Sequence, residues 1–147
     1  MKFYESGDNR KPVIFLFPGT CCLYNSFDHV LDGLHSYFYT VAVSYDGFDP
    51  NEKTEFYSME DECEKIEQEI RTKYGGRIKA AYGCSLGGSF VSLLIQRKRI
   101  HIDHGIIGSS DMDEAGSFMA KLQSSIIVPI MYKMVHTGKL PKFMQKK

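Results

Sequence analysis

Hydrophobic and polar residues follow one another along this chain in blocks that favour strands and helices in turn. Residues 12–17 (PVIFLF) form an unbroken apolar run before Pro18-Gly19, as expected of a strand buried on both faces. Residues 26–39 carry apolar side chains at helical spacing and predict a helix. Residues 40–45 (TVAVSY) are rich in β-branched side chains and predict a second strand.

The same alternation continues through the middle of the chain. Met59 to Tyr74 is the clearest predicted helix, because its apolar residues recur every three or four positions. Ser58 can cap its N-terminus, and Gly75-Gly76 ends it. The remaining predicted elements are a third strand at residues 78–82, a buried helix at 86–98 and a fourth strand at 102–107.

This order of elements predicts an α/β fold. Strands that alternate with helices at this spacing form βαβ units, so we expect a doubly wound, mainly parallel sheet with helices on both faces. The length of 147 residues fits a single domain. The pattern changes after Asp113, because residues 115–135 are apolar and Met-rich without a visible strand, and predict one or two helices broken at Pro129.

Composition excludes several classes of partner. Lys and Arg together number 18, as do Asp and Glu, so the net charge is zero and no nucleic-acid partner is expected. No apolar run is long enough to span a membrane, and no signal peptide is visible. The four cysteines, at positions 21, 22, 63 and 84, match no metal-binding pattern. We therefore expect buried or half-buried thiols in a cytoplasmic protein that needs no metal or cofactor.

The five residues Gly83-Cys84-Ser85-Leu86-Gly87 fit the pattern G-x-S-x-G between a predicted strand and a predicted helix. Such a bend lifts the serine hydroxyl out of the sheet, and the flanking glycines allow the helix to approach the strand. The amide of Leu86 would then point at an anion that forms beside Ser85. The alternative is a glycine-rich turn in which the serine only caps the helix.

The turn after the first predicted strand can supply a second donor. If the first and third predicted strands are neighbours, their carboxyl ends meet, and helices that leave them to opposite faces open a crevice there. The amide of Thr20, or otherwise that of Cys21, would then face Ser85 and complete an oxyanion hole. The alternative is that Pro18-Gly19 forms a turn and nothing more.

Four stretches, PVIFLFPGT, TVAVSYDGFD, YGCSLGGS and HIDHGIIGSSD, resemble the N-terminal half of an α/β-hydrolase, in particular compact bacterial enzymes related to esterases and lipases. The resemblance covers residues 10–113 and implies a partial α/β-hydrolase fold. It implies that Ser85 is the catalytic nucleophile and that the amides of Leu86 and Thr20 form the oxyanion hole. Residues 115–147 fall where such enzymes insert a helical cap, so we expect a single domain, incomplete at its C-terminal end.

Two features depart from the pattern of that family. Pro18 stands where the family often has a histidine, so the support of this turn must differ. The acid and histidine of a Ser-Asp-His triad have no evident counterpart. Asp111, with Asp113 as a competitor, and His136 have the right order to replace them, whereas the alternative for His136 is a histidine on the surface of the cap.

The other four histidines are expected to be structural or solvated. His101 and His104 flank Asp103 in the fourth predicted strand, where no third ligand is evident, so packing is favoured over metal binding. His29 and His35 lie on the first predicted helix and are expected to face solvent.

Two functions remain open on these grounds. The first is a serine hydrolase that acts on an ester or related small acyl compound, with acyl transfer to another acceptor within reach of the same acyl-enzyme. The second is a truncated, catalytically inert fragment that binds a ligand or a partner. The fourth predicted strand would form a sheet edge with an exposed GIIG segment, which could pair with a partner chain or a second copy.

Overall fold

The computed structural model describes residues 1–49 and 51–110, together with Ser125, Ile126 and Pro129. The chain divides into two compact units, Met1–Met112 and Asp113–Lys147. The described elements of the first unit are β1 (Lys2–Ser6), β2 (Val13–Phe17), a 3-10 helix (Tyr24–Phe27), α1 (Asp28–His35), β3 (Tyr39–Ser44), α2 (Met59–Tyr74), β4 (Arg77–Cys84), α3 (Leu86–Arg97) and β5 (His101–Gly108). Apart from those three positions, the predicted cap-like segment lies outside the described residues.

The five strands form one sheet in the order β1-β3-β2-β4-β5. Strands β3, β2, β4 and β5 run parallel, and β1 pairs antiparallel with β3. In the centre of the sheet, Ile14 pairs with Ala80 and Phe17 with Gly83, so β2 and β4 end at the same edge. The predicted α/β fold class with a mainly parallel sheet is therefore confirmed.

The core lies in two layers because the central strands are apolar on both faces. Phe15 and Phe17 point to the face covered by α2 and α3. Ile14 and Leu16 point to the opposite face, where Phe27 and helix α1 pack. Helices α1 and α3 leave neighbouring strands to opposite faces, as the sequence predicts.

Helix α2 begins and ends where the sequence predicts, because a capping residue stands at each end. The Ser58 hydroxyl accepts a hydrogen bond of 3.1 Å from the backbone N–H of Asp61, and Gly75 ends the helix in the left-handed conformation with φ 64°. Side chains of Cys63 and Ile66 on its inner face are fully buried. The helix is therefore specified by its caps and by its apolar stripe together.

Strand β1 and the first helix differ from the sequence-based prediction. The pattern KFYES in β1 contains no β-branched residue, so it does not stand out as a strand. Its Phe3 and Tyr4 nevertheless pack on opposite faces of the sheet. The helix predicted over residues 26–39 is shorter, because it starts as a 3-10 turn, and Tyr39 already belongs to β3.

Three side-chain environments also correct the prediction. Cys21 and Cys22 are exposed, because the loop after β2 carries them away from the core, whereas Cys63 is buried and Cys84 half-buried. His35 is not simply solvated: its Nε2 lies 3.0 Å from Ser6 Oγ and 3.1 Å from Thr40 Oγ1. These contacts connect the C-terminal end of α1 to the antiparallel strands β1 and β3.

Candidate functional site

Ser85 occupies a sharp bend between β4 and α3, which we call the elbow (residues 83–87). It has φ 53° and ψ −121°, a positive φ that residues with a side chain rarely adopt. Such a conformation costs about 1–3 kcal/mol and persists only where the surroundings impose it. The side chain of Ser85 is exposed, so the bend presents the hydroxyl to solvent at the carboxyl edge of the sheet.

The glycines of the elbow are required because neighbouring backbone segments pack directly against them. A Cβ on Gly83 would lie 2.1 Å from the carbonyl oxygen of Gly87. A Cβ on Gly87 would lie 2.0 Å from the carbonyl oxygen of Phe17. Any side chain at either position would therefore force α3 away from β4 or from the end of β2.

Backbone hydrogen bonds hold Ser85 from both sides. Its N–H donates to the carbonyl of Gly108 at the end of β5 over 2.8 Å. Its carbonyl accepts from the N–H groups of Gly88 (2.9 Å) and Ser89 (3.2 Å) in the first turn of α3. The backbone of Ser85 is thus held by α3 and β5, in addition to its place at the end of β4.

The turn after β2 lies directly against the elbow. We call residues 18–20 the Pro18–Thr20 turn. A Cβ on Gly19 would lie 3.5 Å from Ser85 Cβ and 3.3 Å from the carbonyl oxygen of Cys84. The N–H of Cys22 donates to the Gly19 carbonyl over 3.1 Å and closes the following bend. The structure therefore brings the loop that carries Thr20 and the elbow that carries Ser85 together.

Both predicted donors have N–H groups that secondary structure leaves free. Leu86 is the first residue of α3, and the first N–H groups of a helix have no partner within it. Thr20 is exposed in a turn, and its N–H makes no hydrogen bond within the described part of the chain. Neither N–H group has a hydrogen-bond partner within the described residues.

Tyr45 supports the Pro18–Thr20 turn from below, a contact that the sequence analysis did not identify. Its hydroxyl donates to the Pro18 carbonyl over 3.1 Å, and its ring stacks on Phe90 with centroids 4.5 Å apart. Burial raises the pKa of Tyr45 well above its usual value, so the hydroxyl stays a donor. The only sequence signal was an aromatic residue with a hydroxyl at the carboxyl end of an apolar strand.

The described histidines do not reach the Ser85 hydroxyl. Within residues 1–49 and 51–110, no imidazole forms a hydrogen bond with it. His29 is exposed on α1, and His101 and His104 are exposed on β5, where His101 Nε2 lies 3.2 Å from Asp103. The three predicted replacements for the missing triad members, Asp111, Asp113 and His136, lie outside the described residues.

An apolar groove of about 340 Å³ opens on the α1 face of the sheet. The groove is lined by Ile14, Leu16, Ser26, Phe27, His29, Val30, Leu34, Tyr82 and Ile106. Ser85, Thr20 and Leu86 do not contribute to its walls. The groove is therefore a gap in the packing of α1 against β4 and β5 rather than a continuation of the elbow.

Two further observations concern partners and metals. Among the helices of the described residues, none combines the length and apolar character needed to cross a membrane. The same residues contain no group of three His, Cys, Asp or Glu side chains placed to hold a metal ion.

Comparison with known proteins gives a clear result for the fold and none for the family. No protein-family model and no curated protein matches this sequence. Solved structures do match. A protein of the α/β-hydrolase family from Desulfitobacterium hafniense superimposes with a TM-score of 0.81 at 17% identity, over 96% of this chain and 56% of that one.

Two other solved structures give the same result. A hydrolase from Pseudomonas aeruginosa PA01 matches with a TM-score of 0.75 at 17% identity, over 92% of this chain and 51% of its own. A carboxylesterase from Nitrososphaera gargenis matches with a TM-score of 0.71 at 16% identity, over 91% of this chain and 48% of its own. This chain therefore spans about half the length of the structures that it resembles, and the predicted partial α/β-hydrolase fold is confirmed.

Proposed function

We propose, from its α/β-hydrolase fold, that this chain carries the nucleophile and oxyanion half of a serine hydrolase site for a small ester or related acyl compound. Ser85 would attack the carbonyl carbon, and the amides of Leu86 and Thr20 would stabilise the oxyanion. Water would then release the acyl group. The observation that carries the proposal is the strained, exposed conformation of Ser85, held against the Pro18–Thr20 turn.

Backbone strain at an exposed hydroxyl is informative because strained backbone conformations cluster at active sites, where the surrounding structure imposes them. A serine that only capped α3 would take an extended conformation, and its side chain would accept a hydrogen bond from the first turn. Ser85 has φ 53° instead, and its side chain caps no N–H of α3. A carboxylesterase among the similar structures supports an ester as the substrate class.

Within residues 1–49 and 51–110, no histidine is hydrogen-bonded to Ser85, so the proposed general base comes from the rest of the sequence. Asp111 with His136 is the pair that the chain order favours, with Asp113 as the competing acid. Loss of triad members lowers the rate by roughly 10⁴–10⁶-fold, so a chain without a working base would turn over slowly at best. The cytoplasmic location stays a prediction from the sequence.

The proposal is tested with a fluorophosphonate probe, which forms a covalent bond with activated serines. We expect labelling that peptide mapping assigns to Ser85 and that Ser85→Ala abolishes. Ser89→Ala is the matched control, because Ser89 lies one turn into α3 and its hydroxyl is 2.9 Å from that of Ser110. Labelling of folded protein that survives Ser85→Ala contradicts the proposal.

The alternative function is an inert binding module, and the same experiment separates it. Circular dichroism establishes that the protein is folded before the probe is added. Folded wild-type protein that takes up no probe favours the inert module. A measurable hydrolysis of a short-chain nitrophenyl ester, lost in Ser85→Ala and kept in Ser89→Ala, favours the enzyme.

A further inference from the structure

The side chain of Tyr45 contacts both arms of the candidate site. Its hydroxyl donates to the Pro18 carbonyl over 3.1 Å, on the turn that carries Thr20. Its ring stacks on Phe90 in α3, the helix whose first residue is Leu86, with ring centroids 4.5 Å apart and planes inclined by 19°. The two proposed oxyanion donors are therefore bridged by one side chain.

The surroundings of Tyr45 give this bridge a fixed geometry. The residue is 1% exposed, and its ring also meets that of Phe48 edge-on, with centroids 5.4 Å apart. A ring that is packed against two others keeps its orientation, so the hydroxyl keeps its direction. Because the hydrogen bond to the Pro18 carbonyl is buried, leaving that carbonyl unpaired would be costly, and the turn is held in place.

A second hydrogen bond orients the next peptide of the turn. The N–H of Cys22 donates to the Gly19 carbonyl over 3.1 Å. Because this peptide is planar and trans, the N–H of Thr20 points in the direction opposite to the Gly19 carbonyl. The two peptides that flank Gly19 are thus anchored through their carbonyls, one by Tyr45 and the other by Cys22.

We infer that Tyr45 is a positioning residue of the oxyanion hole, an inference that rests on the proposed function. By holding the Pro18 carbonyl, its hydroxyl keeps the turn at the separation from α3 at which the N–H groups of Thr20 and Leu86 reach one oxyanion. The oxyanion exists only after Ser85 has attacked the carbonyl, so Tyr45 contributes to the transition state rather than to binding of the ester. The Tyr45 hydroxyl acts through the backbone and has no chemical step of its own.

The first measurement is the rate at which a fluorophosphonate labels Ser85. Tyr45→Phe keeps the stacked ring and removes the hydroxyl. We expect labelling to slow by about ten- to a hundredfold, because a displacement of about 1 Å at a reacting centre can cost two powers of ten. Tyr39→Phe is the matched control, because the Tyr39 hydroxyl donates to Glu5 over 2.8 Å at the opposite end of β3. Its labelling rate should equal that of wild type.

The second measurement separates positioning from a loss of stability. A fluorophosphonate bonded to Ser85 places a phosphoryl oxygen where the oxyanion would form, and hydrogen bonds to that oxygen change the phosphorus NMR shift. In Tyr45→Phe, we expect the resonance of the folded adduct to move toward the position that it has in the unfolded adduct. In Tyr39→Phe, it should stay at the wild-type position. Reduced stability alone leaves the resonance of folded protein unchanged, and circular dichroism establishes that each variant is folded.

A second variant keeps the inference testable where Tyr45→Phe does not fold. Phe90→Leu retains the Tyr45 hydroxyl and an apolar residue in the core, but it removes the ring on which Tyr45 stacks. We expect labelling of Ser85 to slow and the phosphorus resonance to move in the same direction as in Tyr45→Phe.

The outcomes distinguish this inference from the proposed function. Folded Tyr45→Phe that is labelled at the wild-type rate overturns the positioning role and leaves the proposed function intact. Slower labelling with an unchanged phosphorus resonance also overturns it, because the hydroxyl would then act on something other than the two donors. Folded wild-type protein that takes up no probe at Ser85 contradicts the proposed function and this inference with it.

Discussion

The two faces of the sheet are covered to different extents. On one face, α2 and α3 bury a continuous layer in which Phe15, Phe90 and Leu94 are fully inaccessible. On the other face, α1 packs over a smaller buried set and leaves the groove of about 340 Å³. Val30 and Ile106 beside this groove remain 39% and 49% exposed. We call the two sides the closed face and the open face.

Charged contacts reinforce the same difference. The Glu67 carboxylate on α2 is fully buried and accepts a hydrogen bond of 2.6 Å from Arg97 Nε on α3, so the two helices of the closed face are bound to each other. Tyr45, which supports the Pro18–Thr20 turn, also lies on the closed face. The candidate site therefore depends on the better packed half of the molecule.

The largest expected effect compares one aromatic residue on each face. Phe90→Ala should lower the free energy of unfolding by about 3–5 kcal/mol, because a fully buried ring leaves a cavity. Phe27→Ala should cost less, about 3 kcal/mol or below, because Phe27 is 8% exposed and already borders the open groove. Urea unfolding of both variants measures the two losses. Equal losses would show that the faces do not differ in packing.

A second effect concerns the acid stability of the closed face. Burial alone would raise the pKa of Asp46, but hydrogen bonds from Lys65 (2.6 Å) and from the N-terminal amine lower it to about 2. Because the folded-state pKa lies below the unfolded value, the stabilisation is complete above pH 4. It is lost as the pH falls from about 4 to about 2.

The measurement for Asp46 is the free energy of unfolding at pH 5 and at pH 2.5. Wild type should lose about 2 kcal/mol through this group, and Asp46→Asn should lose correspondingly less over the same interval. Asp28→Asn is the control, because Asp28 is exposed at the start of α1 on the open face. An unchanged pH dependence in Asp46→Asn would contradict the assigned ion pair.

The smallest expected effect has the opposite sign and lies at the edge shared by both faces. Ser85→Gly should stabilise the protein by about 1–2 kcal/mol, because glycine adopts a positive φ without the strain that serine bears. Ser85→Ala keeps the Cβ and should change stability little. Thermal unfolding of the two variants checks this. A destabilised Ser85→Gly would mean that the bend is not strained.

Local signals made most of the fold predictable. The helix at Met59–Tyr74 has both caps and a regular apolar stripe, and the structure gives it the same bounds. The elbow carries glycines at the two positions where a Cβ would clash, so its pattern reflects a steric requirement. Likewise, the unbroken apolar run before Pro18 reflects burial on both faces. In each case, residues close in sequence determine the outcome.

Other features depend on contacts between distant residues and were missed. Strand β1 gains its conformation from pairing with β3 across the sheet, which the residues KFYES alone do not indicate. The partners of His35 come from two strands, and Tyr45 reaches a carbonyl 27 residues earlier in the chain. The exposure of Cys21 and Cys22 follows from the path of a loop, which hydrophobic periodicity does not encode.

The strand order has a consequence for how the site is assembled. Residues 18–20 and Ser85 become neighbours only when β4 pairs alongside β2, a parallel pairing between segments 66 residues apart, as in Ile14 with Ala80. Contacts of such high sequence separation form slowly, because the intervening chain must lose its freedom first. During synthesis, β2 and β3 can join while β4 is still absent. Reactivity at Ser85 should therefore arise late in folding and report that the central pair of strands has closed.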